Sequence, residues 1–194
     1  PIHFIPNGVR EPEIVPPSIM LVKYKLEAKK YIISVGRITP EKAYEVLINA
    51  YKLLDKPDFK LVIVGDEIHL TRYKGHLLCI AEGNSNIVLT GFLFGRELAE
   101  LYTNAGLFVS TSINEGFPMV VLEAMSYGLP MLLSDIPAHR EVRLPQSCYF
   151  NGEKELASKL AIRDMLNGEH KHYDMLLHKK YDWNAITKAI YDTY

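Results

Sequence analysis

Cysteine, net charge and long apolar runs are all scarce in this sequence of 194 residues. Its two cysteines, Cys79 and Cys148, stand far apart and lack the spacing of a metal site or a CxxC motif. We therefore expect two reduced thiols in a cytosolic protein. The formal net charge of -1 supplies no basic excess to neutralise phosphates, which argues against a nucleic-acid partner. No apolar run approaches the roughly 20 residues that a membrane-spanning helix requires.

What the sequence does contain is the composition of an ordinary globular domain, with 48% hydrophobic and 23% charged residues. Short apolar runs alternate with segments of helical spacing. The runs cover residues 31–35, 59–64, 87–89, 107–110 and 130–133, with shorter ones at 2–5 and 148–150. This alternation predicts an α/β fold, a Rossmann-like doubly wound parallel sheet flanked by helices.

Local signals place several helices between these strands. Thr39 followed by Pro40 predicts the N-cap and the first residue of a helix after the first clear strand. Residues 68–82 predict a weaker helix that is broken at Gly75. The apolar spacing after Trp183 predicts a terminal helix.

Two carboxylates follow the strand predicted over residues 107–110. Glu115 lies in the polar loop after the strand, and Glu123 lies two turns into a helix that opens at Pro118 and ends at Gly128. Ligands of parallel sheets bind at the carboxyl ends of the strands, where this loop lies. The free amides at the start of the helix lie between the two glutamates and suit an anion such as phosphate. We therefore expect both glutamates to face one ligand.

Each glutamate also has a purely structural explanation. Glu115 could help to cap the helix, and Glu123 could belong to its polar face. The neighbours of Glu123 are nearly all small or apolar, however, and a carboxylate in a largely buried helix needs a partner. A ligand role is therefore favoured. The glycine-rich dinucleotide loop and the Walker phosphate loop are both absent, which argues against redox and NTPase functions.

Arg37 and Lys42 bring two positive charges to the end of the first clear strand and the first turn of the helix after it. Cations at this point conflict with the helix macrodipole, and an anionic ligand would remove the conflict. Alternatively, both side chains are solvated, or Lys42 pairs with Glu41 or Glu45. The local sequence favours neither explanation over the other.

The residues around the two glutamates complete a family motif. The run from Glu115 to Pro130, EGFPMVVLEAMSYGLP, resembles the Glu–seven residues–Glu motif of retaining glycosyltransferases with the GT-B fold, most closely family 4. The run VGRITPEK, which ends at Lys42, is similar to that family's diphosphate-binding segment. The further matches in order and spacing are Val64-Gly65-Asp66, Gly91-Phe92 and residues 134–141. The resemblance thus covers nearly the whole chain.

The resemblance implies a role for each charged residue. Arg37 and Lys42 would neutralise the diphosphate of a nucleotide-sugar donor and stabilise the leaving nucleotide. Glu115 would complete the catalytic set by facing the sugar, and Glu123 would accept hydrogen bonds from the ribose hydroxyls. The other donor-binding residues that it implies are Gly36, Gly116, Phe117, Pro118, Met119 and Val120 around the phosphates and sugar, and Phe92 and Leu93 beside the base. It implies no metal and no other cofactor, because cationic side chains neutralise the donor.

The resemblance also implies that residues 1–194 form a single donor-binding domain, one half of the GT-B fold. Residues 1–30 would be a hinge strand and connection, and residues 31–168 the Rossmann-like core. Residues 169–194 would be helices that pack toward an N-terminal domain of the same enzyme, which is missing here.

The full-length enzyme would transfer a hexosyl unit to a saccharide or lipid-linked acceptor with retention of configuration. This fragment alone would bind the donor weakly and transfer nothing, because the second wall of the cleft is missing. The resemblance implies a cytoplasmic enzyme and leaves peripheral association with the inner membrane open. A non-catalytic nucleotide-sugar-binding or scaffold module is the alternative.

Two positions depart from the family's pattern. Ala43 stands where glycine is usual, which would crowd the approach to the phosphate. Pro118 lacks an N–H, so one sugar-contacting donor is missing. The histidines, His139 among them, are interpreted as incidental.

Overall fold

A computed structural model describes residues 7–55, 57–67, 72–161 and 181–193, and all of its strands are parallel members of one sheet. The strands are β1 Tyr31–Val35, β2 Lys60–Val64, β3 Ile87–Leu89, β4 Leu107–Ser110, β5 Met131–Ser134 and β6 Tyr149–Phe150. Their order across the sheet is β3-β2-β1-β4-β5-β6. The order reverses between β1 and β4, which is the switch point where doubly wound sheets bind ligands. The predicted fold class is confirmed.

Helices cover both faces of the sheet. Among the described residues they are α1 Ile19–Tyr24, α2 Tyr44–Lys52, α3 Arg72–Ala81, α4 Gly95–Asn104, α5 Met119–Ser126, α6 Pro137–Arg140, α7 Gly152–Leu160 and α8 Trp183–Thr193, with 3-10 turns at Pro40–Lys42 and Gln146–Cys148. One face of the sheet packs against α1, α4 and α5, and the other packs against α2, α3 and α7. None of the described helices is long and apolar enough to cross a bilayer.

The alternation of side chains along β1 shows how one strand supplies both cores. Ile33 packs with the α4 and α5 side, and Ile32 packs with the α2 and α7 side. Both are fully buried, as is typical of a central parallel strand, which therefore reads as a continuous apolar run.

The helix after β1 begins later than the sequence predicts. Thr39 precedes only a 3-10 turn, Pro40–Lys42, and makes no side-chain cap, so its prediction as the N-cap of the α-helix is wrong. The chain then passes through Ala43 at φ 45° and ψ 46°, in the left-handed region, before α2 starts at Tyr44. The Ala43 N–H donates to the carbonyl of Pro40 at 3.0 Å, which closes the turn. Glycine adopts this left-handed conformation without strain, which explains why the resembling family usually has glycine where this chain has Ala43.

The predicted break at Gly75 is also wrong, because α3 runs through it without interruption. A Cβ built on Gly75 would meet nothing within 4 Å, so this glycine weakens the helix without ending it. The strand predicted over 2–5 and the residues of 162–180 lie outside the described part of the chain.

Glycines bring the carboxyl ends of the first three strands close together. The Gly36 N–H donates to the Val64 carbonyl at 3.0 Å, and the Gly65 N–H donates to the Gly91 carbonyl at 2.9 Å. At Gly65, φ is +144°, and an added Cβ would lie 1.9 Å from the carbonyl oxygen of Gly36. Only glycine permits this approach, which sets the height of the loop after β1.

We expect Gly65→Ala to lower the free energy of unfolding by about 3 kcal/mol or more, because the clash involves backbone that cannot turn away. Gly75→Ala is the matched control, and it should raise the same quantity by about 0.5–1 kcal/mol through helix propensity. Urea denaturation measures both. Equal effects of the two substitutions would contradict the constraint assigned to Gly65.

Candidate functional site

Two of the predicted site residues form an ion pair across the switch point of the sheet. The Lys42 ammonium lies 2.5 Å from Glu115 Oε1, and the two side chains are only 16% and 13% exposed. The Lys42 side chain also runs beside Gly36, where an added Cβ would be 3.3 Å from Nζ. Lys42 pairs with Glu115 and not with Glu41 or Glu45. The end of β1 and the loop after β4 therefore share one cluster of charge.

Backbone and side-chain hydrogen bonds hold these two loops together. The Thr111 hydroxyl donates to the Lys42 carbonyl at 2.8 Å. Beside it, the Ile113 N–H donates to the Glu41 carbonyl at 2.9 Å. The turn after β1 is thus fixed to the loop after β4 by two hydrogen bonds, and the Lys42–Glu115 ion pair is a third contact between the same two segments.

Only one oxygen of the Glu115 carboxylate is used in these contacts. Oε1 accepts from Lys42 Nζ and, at 2.7 Å, from the Ser112 hydroxyl. Oε2 has no hydrogen-bond partner among the residues that the structure describes. The neighbouring Gly116 is exposed, and a Cβ there would meet nothing within 4 Å. One carboxylate oxygen is therefore left for a ligand beside open space.

The first turn of α5 offers fewer amides than the sequence suggests. The Met119 N–H donates to the Phe117 carbonyl at 2.9 Å and is already occupied. Pro118 precedes the helix and has no N–H. The amides of Gly116, Phe117 and Val120 donate no hydrogen bond within the described residues. The Phe117 ring packs toward Tyr181, with its centroid 6.0 Å away, so Phe117 can offer a ligand its backbone.

The Glu123 side chain lines a cavity that lies beside α4 and α5. Tyr102 donates its hydroxyl to Glu123 Oε2 at 3.2 Å, and burial raises the pKa of Glu123 above its usual value. The cavity measures about 440 Å³. Its walls are residues 8–13, Gly95, Leu98, Ala99, Tyr102, Met119, Glu123, Ser126, Tyr127 and Trp183. The Tyr102 and Tyr127 rings stack at 5.0 Å and form one apolar wall.

A tyrosine hydroxyl that sequence reasoning missed lies beside the ion pair. The Tyr44 hydroxyl is 3.0 Å from the position of an added Cβ at Gly36, is buried, and has no hydrogen-bond partner among the described residues. Burial, followed by Tyr73 and Glu115, raises its pKa. Leaving such a hydroxyl unsatisfied costs about 1–3 kcal/mol. The sequence signals at Tyr44 and Tyr102 are those of core residues on helix faces, which is why neither was selected.

The remaining predicted residues lie after β1 and β3. Arg37 is exposed and makes no hydrogen bond or salt bridge with the described residues. Phe92 is 44% exposed and stacks on Phe94, with ring centroids 5.9 Å apart. Leu93 is buried in the core, and neither Phe92 nor Leu93 lines the Glu123 cavity, although Gly95 does. Within the described residues, no group of His, Cys, Asp and Glu is placed to hold a metal ion.

We expect Glu123→Gln to stabilise the fold at pH 8 and to have little effect near pH 4.5. Because burial raises the folded pKa of Glu123, ionisation opposes folding as the pH rises above the usual value of 4.5. Glutamine keeps an acceptor for Tyr102 without that charge. Urea denaturation at both pH values measures the difference, with the exposed Glu82→Gln as background. If Glu123→Gln raised the free energy of unfolding more at pH 4.5 than at pH 8, the raised pKa of Glu123 would be contradicted.

Comparison with known proteins shows which family the chain belongs to. Residues 21–183 match the family described as glycosyl transferases group 1. A glycosyltransferase of Methanocaldococcus jannaschii is 29% identical over 179 residues, which are 86% of this chain and 45% of that protein. The GDP-mannose-dependent alpha-mannosyltransferase of Mycobacterium tuberculosis is 30% identical over 147 residues, 74% of this chain and 36% of that protein.

A solved structure supports the same conclusion for the fold. The crystal structure of Anabaena HepE with UDP and glucose superposes with a TM-score of 0.78 at 18% identity, covering 97% of this chain and 55% of that one. This chain spans less than half the length of the two relatives. Its sheet is that of GT-B glycosyltransferase structures, and the chain belongs to the glycosyl transferases group 1 family.

Proposed function

We propose that this domain binds the nucleotide-diphosphate sugar donor of a retaining hexosyltransferase. The observation that carries the proposal is the Lys42–Glu115 pair at the switch point, with Arg37 exposed and unpaired among the described residues at the end of the same strand. The family of the chain supports the reaction class. Two similar proteins, a GDP-mannose-dependent mannosyltransferase and a protein whose structure was solved with UDP and glucose, support a nucleotide sugar as donor.

The diphosphate fits between the cations and the start of α5. Arg37 and Lys42 supply positive charge, and the amides of Gly116, Phe117 and Val120 supply donors at a helix N-terminus. As the bond to the sugar breaks, negative charge grows on the leaving phosphate. Fixed cations there stabilise the transition state more than the ground state. A resident metal is unnecessary for this step in the proposed mechanism.

The sugar and the nucleoside occupy different sides of this centre. Glu115 Oε2, without a protein partner in the described residues, faces the sugar. Glu123 accepts from the ribose hydroxyls, and the cavity of about 440 Å³ behind it has room for a nucleoside. In the absence of donor, Lys42 and Glu115 neutralise each other. When the diphosphate is bound, Lys42 contacts the phosphate while remaining near Glu115.

The complete enzyme, in this proposal, is a cytoplasmic protein with a second domain that binds a saccharide or lipid-linked acceptor. The chain covers 45% and 36% of two relatives, in keeping with a domain of a longer protein. Water exclusion and acceptor positioning need the opposite wall of the cleft. The domain alone therefore binds donor without transferring sugar, and front-face attack with retention belongs to the full-length enzyme.

We expect Arg37→Gln to weaken binding of the donor by about tenfold, since it removes a charge-assisted contact with the diphosphate. Isothermal titration of the domain with UDP-glucose and GDP-mannose measures the affinity. Lys30→Gln is the matched control, because it removes the same charge from an exposed residue at the opposite end of β1. Equal affinities of Arg37→Gln and wild type would contradict the phosphate role.

In the full-length enzyme, we expect Arg37→Ala combined with Lys42→Ala to lower kcat by about 100-fold, because both cations act on the leaving group. Turnover with the cognate nucleotide sugar measures this, with Lys30→Ala as the control. Intact turnover in the double variant would contradict the mechanism. Sugar transfer by the isolated domain would contradict the need for a second wall.

A further inference from the structure

A fully buried histidine lies beneath the loop that carries Glu115. His139 is on α6, with its ring Nδ1 2.9 Å from the Ser134 carbonyl and 3.2 Å from the Ser134 hydroxyl. Its Nε2 lies 3.4 Å from the Ser110 hydroxyl. A carbonyl only accepts, so Nδ1 carries the hydrogen. Burial lowers the pKa of His139, which keeps the ring neutral and leaves Nε2 an acceptor.

Both hydroxyls that the ring touches also touch Ser112. The Ser134 hydroxyl donates to the Ser112 carbonyl at 2.5 Å, and the Ser110 hydroxyl lies 3.3 Å from the Ser112 hydroxyl. His139 thus reaches Ser112 through Ser134 at the end of β5, and Ser110 at the end of β4 lies against the other edge of the ring. Ser112 in turn donates to Glu115 Oε1 at 2.7 Å.

Counting hydrogens fixes the direction of each contact. The one hydrogen of Ser112 goes to the Glu115 carboxylate, and the one hydrogen of Ser134 goes to the Ser112 carbonyl. Ser134 can therefore only accept from His139 Nδ1. Ser110 holds the single hydrogen left for Nε2 and for the Ser112 oxygen. Given to Nε2, that hydrogen holds the second edge of the His139 ring, and the continuous hydrogen-bonded path from the ring to Glu115 runs through Ser134 and Ser112.

We propose that His139, held at Nε2 by the Ser110 hydroxyl, is a positioning residue that, through Ser134 and Ser112, orients the Glu115 carboxylate so that Oε2 faces the donor sugar. The role rests on the proposed function, because it concerns the sugar side of the donor site. It requires a side chain with a donor on one edge and an acceptor on the other, which a neutral imidazole provides. A histidine that merely filled the core would leave the orientation of Glu115 unchanged when its partners are altered.

Affinity for the sugar part of the donor tests the positioning role. The domain is titrated with UDP-glucose and UDP, and with GDP-mannose and GDP, in wild type and in Ser110→Ala. We expect Ser110→Ala to lose about fivefold in affinity for the nucleotide sugar that wild type prefers, with unchanged affinity for the matching nucleoside diphosphate. Ser158→Ala, which removes an exposed hydroxyl on α7, is the control and should match wild type.

The outcomes separate this role from the proposed function. Unchanged sugar-nucleotide affinity in Ser110→Ala overturns the role of His139, as does an equal loss for the sugar nucleotide and the nucleoside diphosphate. A wild-type domain that binds neither nucleotide sugar overturns the proposed function, and the positioning role with it.

The tautomer of His139 tests the same role without any ligand. Imidazole nitrogen chemical shifts in a 15N-labelled wild-type domain should report the Nδ1–H form, and Ser110→Ala should move the Nε2 resonance while Ser158→Ala leaves it in place. The Nε2–H tautomer in wild type would overturn the hydrogen-bond directions on which the role depends. His139→Asn, which can still donate to the Ser134 carbonyl, should retain the fold and lose the sugar-dependent part of the affinity. Full sugar-dependent affinity in that variant would overturn the role.

Discussion

The ion pair between Lys42 and Glu115 joins the turn after β1 to the loop after β4, and the carboxyl-terminal edge of the sheet is arranged around it. Taking two charges partly out of water is unfavourable unless each finds a close partner, and here the two ends are joined at 2.5 Å. Gly36 leaves space beside the Lys42 side chain, where an added Cβ would lie 3.3 Å from Nζ. The ion pair also needs the loop after β4 to be held against the turn after β1, which the Thr111 hydroxyl achieves.

The strands were predictable because each central strand is buried on both faces and therefore reads as an apolar run. The start of α2 was not predictable from local signals. Its position depends on the left-handed Ala43, whose turn is held from outside by hydrogen bonds from Thr111 and Ile113. Thr111 and Ile113 are distant from Thr39 in the sequence, so the residues around Thr39 alone cannot predict where α2 begins.

For the site, too, the sequence identified several of the residues but not the contacts between them. The sequence identified Glu115 and Lys42 as charged residues near strand ends, yet it favoured neither an anionic ligand for Lys42 nor the alternatives, a solvated side chain or a pair with Glu41 or Glu45. The pair with Glu115 appears only in the folded chain. The Leu93 side chain, which the resemblance implies lies beside the base, packs in the core, and its role in binding stays a prediction. Tyr44 was missed because an aromatic residue on a helix face usually indicates packing alone. Its buried hydroxyl, which has no hydrogen-bond partner in the part of the chain that the structure describes, lies beside Gly36 only once the chain is folded.

Groups that oppose folding are concentrated at this edge. The Glu123 carboxylate is ionised less readily because it is buried, and the Tyr44 hydroxyl lacks a partner in the described residues. Polar groups kept at a cost to stability are typical of binding sites, where a ligand satisfies them. A domain of this kind is stabilised by its ligand through the same groups that weaken it alone.

The first and last described segments of the chain cross at one place. The Val9 N–H donates to the Tyr181 carbonyl at 3.0 Å, and the Trp183 ring lies so close to Gly8 that an added Cβ would be 2.7 Å from it. Gly8 and Trp183 also form part of the wall of the Glu123 cavity. The shape of this cavity therefore depends on the contact between two segments that lie far apart in the sequence, and a shift of either segment would change its width.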